Sequence, residues 1–332
     1  MVIEASHWHA FSKTGWTGPL TCAQGFCAFS NLHSFLLALP TTTNTPVTTV
    51  TATTSSADSK RLTQPRRAED PSIVFYNSAY YVFASTARES GYNLVYLAFT
   101  DFNAANSSTY CYLDQITGYR AAPQEFFMAP QNKWYLIYQN GNAAYSTNTD
   151  IANPAGWTAS KNFYASEPSI IASNIGAGFW VDIHLYRSDT SLANFPNRSR
   201  AVIGLSDPSK NNLFEASNVY KVGDEFFIVE CIGTDGRRFR LWTSTSLTGI
   251  WTTYAATMTN PFAGAANVVF TGTPWTKDIS YGEMIRTNVD QTMTISPCNM
   301  RYLYQGLSPT VTGDYNSLPR RRALLTATDS PC

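Results

Sequence analysis

The sequence predicts an all-β chain, a five-bladed β-propeller behind a disordered N-terminal region. Three observations carry that expectation. Charged residues make up only 14 % of the 332 residues, against about 25 % in ordinary domains, while Tyr, Phe and Trp together reach 14 %. That balance, with abundant Thr, suits half-buried pleated surfaces better than solvated helices. Short aromatic and β-branched runs alternate with turn clusters, and none keeps a helical period. Finally, a strand, a small polar turn and a Trp recur in Tyr145–Trp157 and in Trp242–Trp251. Propeller blades of about 40–50 residues often close their third strand that way.

Taken in chain order, residues 1–39 contain Gly15-Trp16-Thr17-Gly18-Pro19-Leu20-Thr21-Cys22, then Gly25-Phe26-Cys27 and Asn31. This segment resembles the fungal family-1 cellulose-binding module, a small disulfide knot that stacks aromatics on cellulose. The match decays at both ends, where Phe11 stands for the first cysteine and the last is absent from Asn31–Phe35. The family pairs first with third and second with fourth, so neither Cys22 nor Cys27 keeps its partner. A module this small needs its bridges. Residues 1–39 are therefore expected to be a non-binding remnant. Residues 40–60 form a linker, with nine Thr between Pro40 and Ala57, a composition that reads as an O-glycosylated stalk.

Residues 61–332 are the propeller. Strands are expected at Ala79–Ser85, Asn93–Thr100, Lys133–Gln139, Glu225–Ile232, Phe239–Thr245 and Met300–Gln305. Blades are expected to open at Asp70–Val74, Ala122–Phe126, Trp180–Ile183, Glu215–Tyr220 and Gly282–Ile285. Only 33 residues separate Asp182 from Glu215, too few for four strands, so the third blade is expected to be truncated.

Composition narrows the function. Lys and Arg total 23, as do Asp and Glu, so there is no basic field for a nucleic acid or an anionic membrane. Apolar runs such as Phe35–Leu39 fall far below the roughly 20 residues of a membrane span. Six cysteines without a CxxC pair, and only four His, argue against structural zinc. Asn106-Ser107-Ser108 and Asn197-Arg198-Ser199 are sequons that permit N-glycans on a secreted chain. No signal peptide is visible in Met1–His7, yet the Thr-rich stalk favours a secreted protein whose natural start lies elsewhere.

Asp70, Asp182 and Glu215 each stand at the mouth of a blade's first strand. First strands converge on the propeller axis, so these acids would face one another across a pocket. Glycoside hydrolysis needs that arrangement: a protonated carboxyl for the leaving oxygen and a carboxylate for water or the anomeric carbon.

The surrounding motifs resemble glycoside hydrolase family 62 over roughly residues 70–330. They include Asp70-Pro71-Ser72-Ile73-Val74, Gly118-Tyr119-Arg120-Ala121-Ala122-Pro123-Gln124, Phe214-Glu215-Ala216-Ser217-Asn218-Val219-Tyr220, Asp235-Gly236-Arg237-Arg238, Gly282-Glu283-Met284-Ile285-Arg286 and Gly313-Asp314-Tyr315-Asn316. The resemblance implies a secreted five-bladed propeller that removes α-L-arabinofuranosyl groups from arabinoxylan with inversion. It assigns Asp70 as general base, Glu215 as general acid, and Asp182 as the acid that orients and tunes Glu215. It places Tyr315 and Asn316 on the xylan-binding surface. Inversion requires base and acid about 6.5–9.5 Å apart. A monomer is expected, acting on a polysaccharide in a fungal setting.

Four departures from the family accompany the match. Glu69 replaces a Lys before the base, and a like charge there tends to raise the pKa of the base. The opening strand before Asp70 is missing. About 20 residues are absent between Asp182 and His184-Leu185-Tyr186-Arg187-Ser188. Tyr281 replaces a His near the propeller axis, where the family often binds calcium; no cofactor is expected to be required, a structural calcium at the axis stays an open reading, and metal ligands stay unassigned. The competing readings are a catalytically dead xylan-binding propeller, with Trp134, Trp157 and Tyr315 as stacking platforms, and a sister propeller hydrolase such as a β-xylosidase.

Overall fold

The computed structural model describes residues 68–328, apart from 88–91, 114–119, 141, 166–183, 189, 198, 210, 234–235, 271 and 316–317, plus the backbone of three short N-terminal strands. The expected blade opening at Trp180–Ile183, with Asp182, and Asn316 lie outside the described residues. So does nearly all of residues 1–60. There β1 (Val2–Ala5), β2 (Thr21–Ala23) and β3 (Phe26–Ala28) are placed, and antiparallel β2 and β3 set Cys22 opposite Cys27.

The fold is an all-β propeller in which four four-stranded sheets are described. Three of them run outward from the axis in chain order, and the last does so up to its outermost strand. One contains β4 (Ala68–Tyr76), β5 (Ala79–Ala87), β6 (Tyr92–Phe99) and β7 (Tyr110–Tyr112). The next contains β8 (Ala121–Met128), β9 (Lys133–Asn140), β10 (Asn142–Asn148) and β11 (Lys161–Asn162). A two-stranded hairpin follows, β12 (His184–Ser188) with β13 (Ala201–Ser206). Then come β14 (Glu215–Val222), β15 (Glu225–Cys231), β16 (Phe239–Ser244) and β17 (Thr252–Tyr254). The last sheet holds β18 (Ser280–Met284), β19 (Arg301–Gly306) and β20 (Arg321–Ala327). Its edge is covered by β1, parallel to β20, so that edge is not left without a fourth strand.

All six expected strands appear, each within two residues of its predicted ends. The β4–β5 hairpin turns on Asn77 and Ser78, whose φ values of 48° and 62° match the twist of a two-residue loop. Large side chains fill the spaces between sheets. Tyr220, Phe227, Phe239, Tyr302 and Tyr304 are buried between the last two sheets, and Phe83, Tyr96, Trp134 and Leu136 between the first two. Each such side chain contributes about 1.5–3 kcal/mol by leaving water.

The four inner strands share one device. Each carries a bulge near its start: between Glu69 and Ser72, Ala121 and Gln124, Glu215 and Asn218, and Ser280 and Gly282. Within each bulge one residue is left-handed: Asp70 (φ 51°), Ala122 (51°), Ala216 (60°) and Tyr281 (35°). The bulge turns the preceding side chains toward the pocket mouth and hands the following ones to the axis. There Ser72 donates to Glu283 Oε2, Gln124 Nε2 donates to Asn218 Oδ1, and Asn218 Nδ2 donates to the Gly282 carbonyl at 2.8 Å. These bonds tie the inner strands of all four sheets together.

Candidate active site

Asp70 occupies the left-handed position of the first bulge. Asp is among the few side chains that visit this region readily. Its amide donates to Gln305 Oε1 (2.9 Å), which locks the turn against β19. Ser85 Oγ accepts the Ala122 amide (2.8 Å) and donates to Asp70 Oδ2 (2.8 Å). Because the amide proton is fixed, the Ser85 proton points at the carboxylate. Burial pushes the Asp70 pKa up to about 6, while the Ser85 hydrogen bond and the charges of Arg320 and Arg237 pull it back. The rise expected from a neighbouring acid is present, but its cause is chiefly loss of water.

Glu215 begins β14, one residue before left-handed Ala216, so Asp70 and Glu215 use the same bulge one step apart. Both carboxylate oxygens of Glu215 are buried, and Oε1 is ion-paired with Arg237. The Arg237 guanidinium lies 5.1 Å from the Phe214 ring centre. Its charge also reaches Asp70, which brings both expected catalytic carboxylates around one cation. Glu230, fully buried on β15, brackets Glu215: Oε1 accepts the Phe214 amide (2.6 Å) and Oε2 accepts Ser217 Oγ–H. Burial pushes the Glu230 pKa up to about 8.

Glu69, only 2 % exposed, is ion-paired with Arg320. Its pKa rises to about 7 through burial, lowered by Arg320 and raised again by Asp70. Tyr315 is 48 % exposed, with the Arg320 guanidinium 4.1 Å above its ring. Tyr281 is half-buried within reach of the Asp70 charge; loss of water first, and that charge second, raise its phenol pKa.

At the axis, Glu283 Oε2 accepts Ser72 Oγ–H and the Ile73 amide (2.8 Å). Arg286 Nη2 stands 3.6 Å from both Glu283 Oε1 and Glu125 Oε1. The axial carboxylates thus already face a guanidinium. Tyr281, where the resemblance expects a His, is held neutral by its burial. Among the described residues, no group of three or more His, Cys, Asp or Glu is arranged to hold a metal. These residues do not fit a calcium ion, and no chemical step is assigned to one.

Of the expected site residues, Asp70, Glu215 and Tyr315 come together around Arg237 and Arg320. Sequence reasoning missed Glu230, Gln305 and Arg320 as site residues, and quoted Ser85 and Arg237 without a role. The repeated bulge register is the signal that would have found several of them: Ser85 and Cys231, the neighbour of Glu230, lie directly across from Glu69 and Glu215.

Residues 51–326 match glycosyl hydrolase family 62. The chain is 42 % identical over 279 residues to α-L-arabinofuranosidase C of Cellvibrio japonicus, covering 77 % of this chain but only 44 % of that relative. Among solved structures, it is similar to the catalytic domain of the Coprinopsis cinerea family-62 α-L-arabinofuranosidase, with 53 % identity, a TM-score of 0.76, and 83 % and 94 % of the two chains covered. A Podospora anserina α-L-arabinofuranosidase solved with cellotriose gives 47 %, 0.75, 80 % and 92 %. A family-62 hydrolase solved with xylotriose gives 44 %, 0.73, 78 % and 90 %. With the fold, the paired carboxylates and a match over most of its length in agreement, the chain belongs to glycosyl hydrolase family 62.

Proposed function

We propose that the chain is an inverting α-L-arabinofuranosidase that removes arabinofuranosyl side groups from arabinoxylan. The observation that carries this reading is the placement of Asp70 and Glu215 on matching bulges of two inner strands, around the shared Arg237. In this mechanism Asp70, ionised above its pKa of about 6, takes a proton from the attacking water as that water reaches the anomeric carbon. Glu215 gives its proton to the departing xylose oxygen. Asp182 orients and tunes Glu215, and Tyr315 with Asn316 faces the xylan main chain. The relatives solved with xylotriose and cellotriose support a surface suited to β-linked pyranose chains.

The rest of the organisation follows the same reading. The β12–β13 hairpin is the remainder of a truncated third blade in a five-bladed propeller. Residues 1–39 are a cellulose-binding-module remnant, and 40–60 a stalk. The chain acts as a secreted fungal monomer, glycosylated at Asn106 and Asn197, both of which are exposed. The binding-only alternative loses two of its three platforms, because Trp134 is buried in the core and Trp157 packs edge-on to Phe83 at 5.7 Å.

The test is release of free arabinose from wheat arabinoxylan. Glu215→Gln should abolish it, because an amide cannot protonate the xylose oxygen. The same variant should keep more activity on an aryl arabinofuranoside, whose leaving group needs little protonation. Asp70→Asn should lose both activities, since water must still be deprotonated. Wild-type rates for Asp70→Asn would sink the assignment. A folded wild-type chain that releases no arabinose would leave the binding-only reading.

A further inference from the structure

We propose that Glu69 and Arg320 act as a positioning pair that seats Tyr315 at the pocket mouth and thereby sets the grip on the xylan main chain. This inference rests on the reading of Tyr315 as a main-chain contact. Tyr315 lies in the connection between β19 and β20, where residues 312–315 are exposed. Hydrophobic burial therefore does not fix its place. The contacts that do run back to Arg320: its Nη1 donates to the Tyr315 carbonyl at 3.3 Å, and its guanidinium lies 4.1 Å above the ring. The Leu318 amide also donates to that carbonyl at 3.3 Å. Arg320 immediately precedes β20, so its backbone is set by the sheet.

Its side chain is directed by Glu69. The two form an ion pair whose side chains are 3 % and 8 % exposed. A buried carboxylate of this kind holds its partner in one geometry, and removing it leaves a buried cation that must move toward water. Arg320 cannot move without giving up both contacts to Tyr315. One face of the ring is covered by the guanidinium while nearly half of the residue stays exposed, which leaves surface for stacking on a pyranose. Glu69 and Glu215 occupy the same step of matching bulges. One sheet uses that position for its chemistry and the other to hold the rim.

Arg320 also acts on Asp70, whose pKa it lowers, and Glu69 adjoins Asp70 in the chain. The experiment must separate grip from chemistry. Full-length Arg320→Met, Arg320→Lys, Glu69→Gln, Tyr315→Ala and the Tyr315→Ala/Arg320→Met double variant are compared on wheat arabinoxylan and on 4-nitrophenyl α-L-arabinofuranoside, with xylohexaose binding measured by calorimetry. Arg320→Met should raise KM on arabinoxylan about tenfold and weaken xylohexaose binding by a similar factor. KM on the aryl substrate should stay within about twofold, because that substrate carries no main chain. Glu69→Gln should move the same way by less, and Arg320→Lys should recover part of the loss. In the double variant, Arg320→Met should add nothing to Tyr315→Ala, because it acts through that ring.

Equal rises in KM on both substrates would overturn the proposal, as would additive effects on KM in the double variant. Unchanged xylohexaose binding in a folded Arg320→Met chain, or no xylohexaose binding by the wild type, would overturn it as well. If Arg320→Met does not fold, Glu69→Gln and Arg320→Lys carry the same comparison. Failure of the wild type to release arabinose would sink the hydrolase reading alone, because the binding arm still reports on the pair.

Discussion

At the residue scale, the site turns on how a hydroxyl is spent. Ser85 has accepted one backbone proton from Ala122 and can offer its own in one direction, to Asp70. The bond favours ionised Asp70 against the burial that pushes its pKa to about 6. A general base works only when ionised, so with Asp70 in the proposed role the acid limb of kcat/KM on arabinoxylan should rise through about pH 6. Ser85→Ala removes the hydrogen bond to the charged form. The acid limb should then move upward by about one pH unit, since such bonds are worth about 1.5–3 kcal/mol and one unit is about 1.4 kcal/mol. A pH–rate profile of the two proteins checks this. A limb that stays in place would mean that another group limits the rate on the acid side.

At the element scale, the bulge is the unit that makes a site from a strand. A regular strand sends alternate side chains to opposite faces; an extra left-handed residue lets two successive residues serve the pocket before the chain resumes its pleat. In β18 this demands Gly282, where an added Cβ would sit 2.0 Å from the Leu303 carbonyl oxygen. Gly282→Ala should destabilise by several kcal/mol in a urea melt, because backbone on both sides must shift. In β14–β15 the clamp is Glu230, whose pKa rises from 4.5 to about 8 on folding. An acid with a raised folded pKa stabilises fully below its unfolded value and loses that contribution as pH climbs through the folded value. Unfolding free energy should therefore fall between about pH 4.5 and 8. Glu230→Gln, which still accepts from Phe214 and can donate to Ser217, should flatten that slope. The strands themselves were legible from their aromatic and β-branched runs, and the places of Asp70 and Glu215 from acids at strand mouths. Arg320 and Glu230 were not legible, because their roles arise from pairings 251 residues apart for Arg320–Glu69 and across a sheet register for Glu230. Local sequence does not encode such partners. Nor did the aromatic count distinguish Trp134, a core residue, from Tyr315, an exposed one.

At the scale of the whole molecule, the sheets meet at a polar axis where most proteins would place hydrocarbon. Glu283, Glu125 and Arg286 are buried there; hydrogen bonds from Ser72 and Gln124 reach Glu283, and Asn218 donates to the adjacent Gly282 carbonyl, which links the cluster to the other inner strands. The cluster carries more acid than base, and burial together with the Glu283 charge pushes the Glu125 pKa well above the usual carboxylate range. Glu125 is thus held neutral, while its backbone carbonyl accepts Arg286 Nη2 at 2.8 Å. This ranks three substitutions. Arg286→Met leaves buried carboxyls without their cation and should cost about 3–5 kcal/mol. Glu283→Gln can keep its carbonyl on Ser72 and Ile73 but turns an amide donor toward Arg286 and Gln124, and should cost about 1–3 kcal/mol. Glu125→Gln swaps one neutral group for another and keeps the carbonyl bond, so it should cost under about 1 kcal/mol. Urea unfolding at pH 6 measures all three. If Glu125→Gln proved as damaging as Arg286→Met, Glu125 would have to be ionised in the folded chain, against the direction in which its burial pushes it.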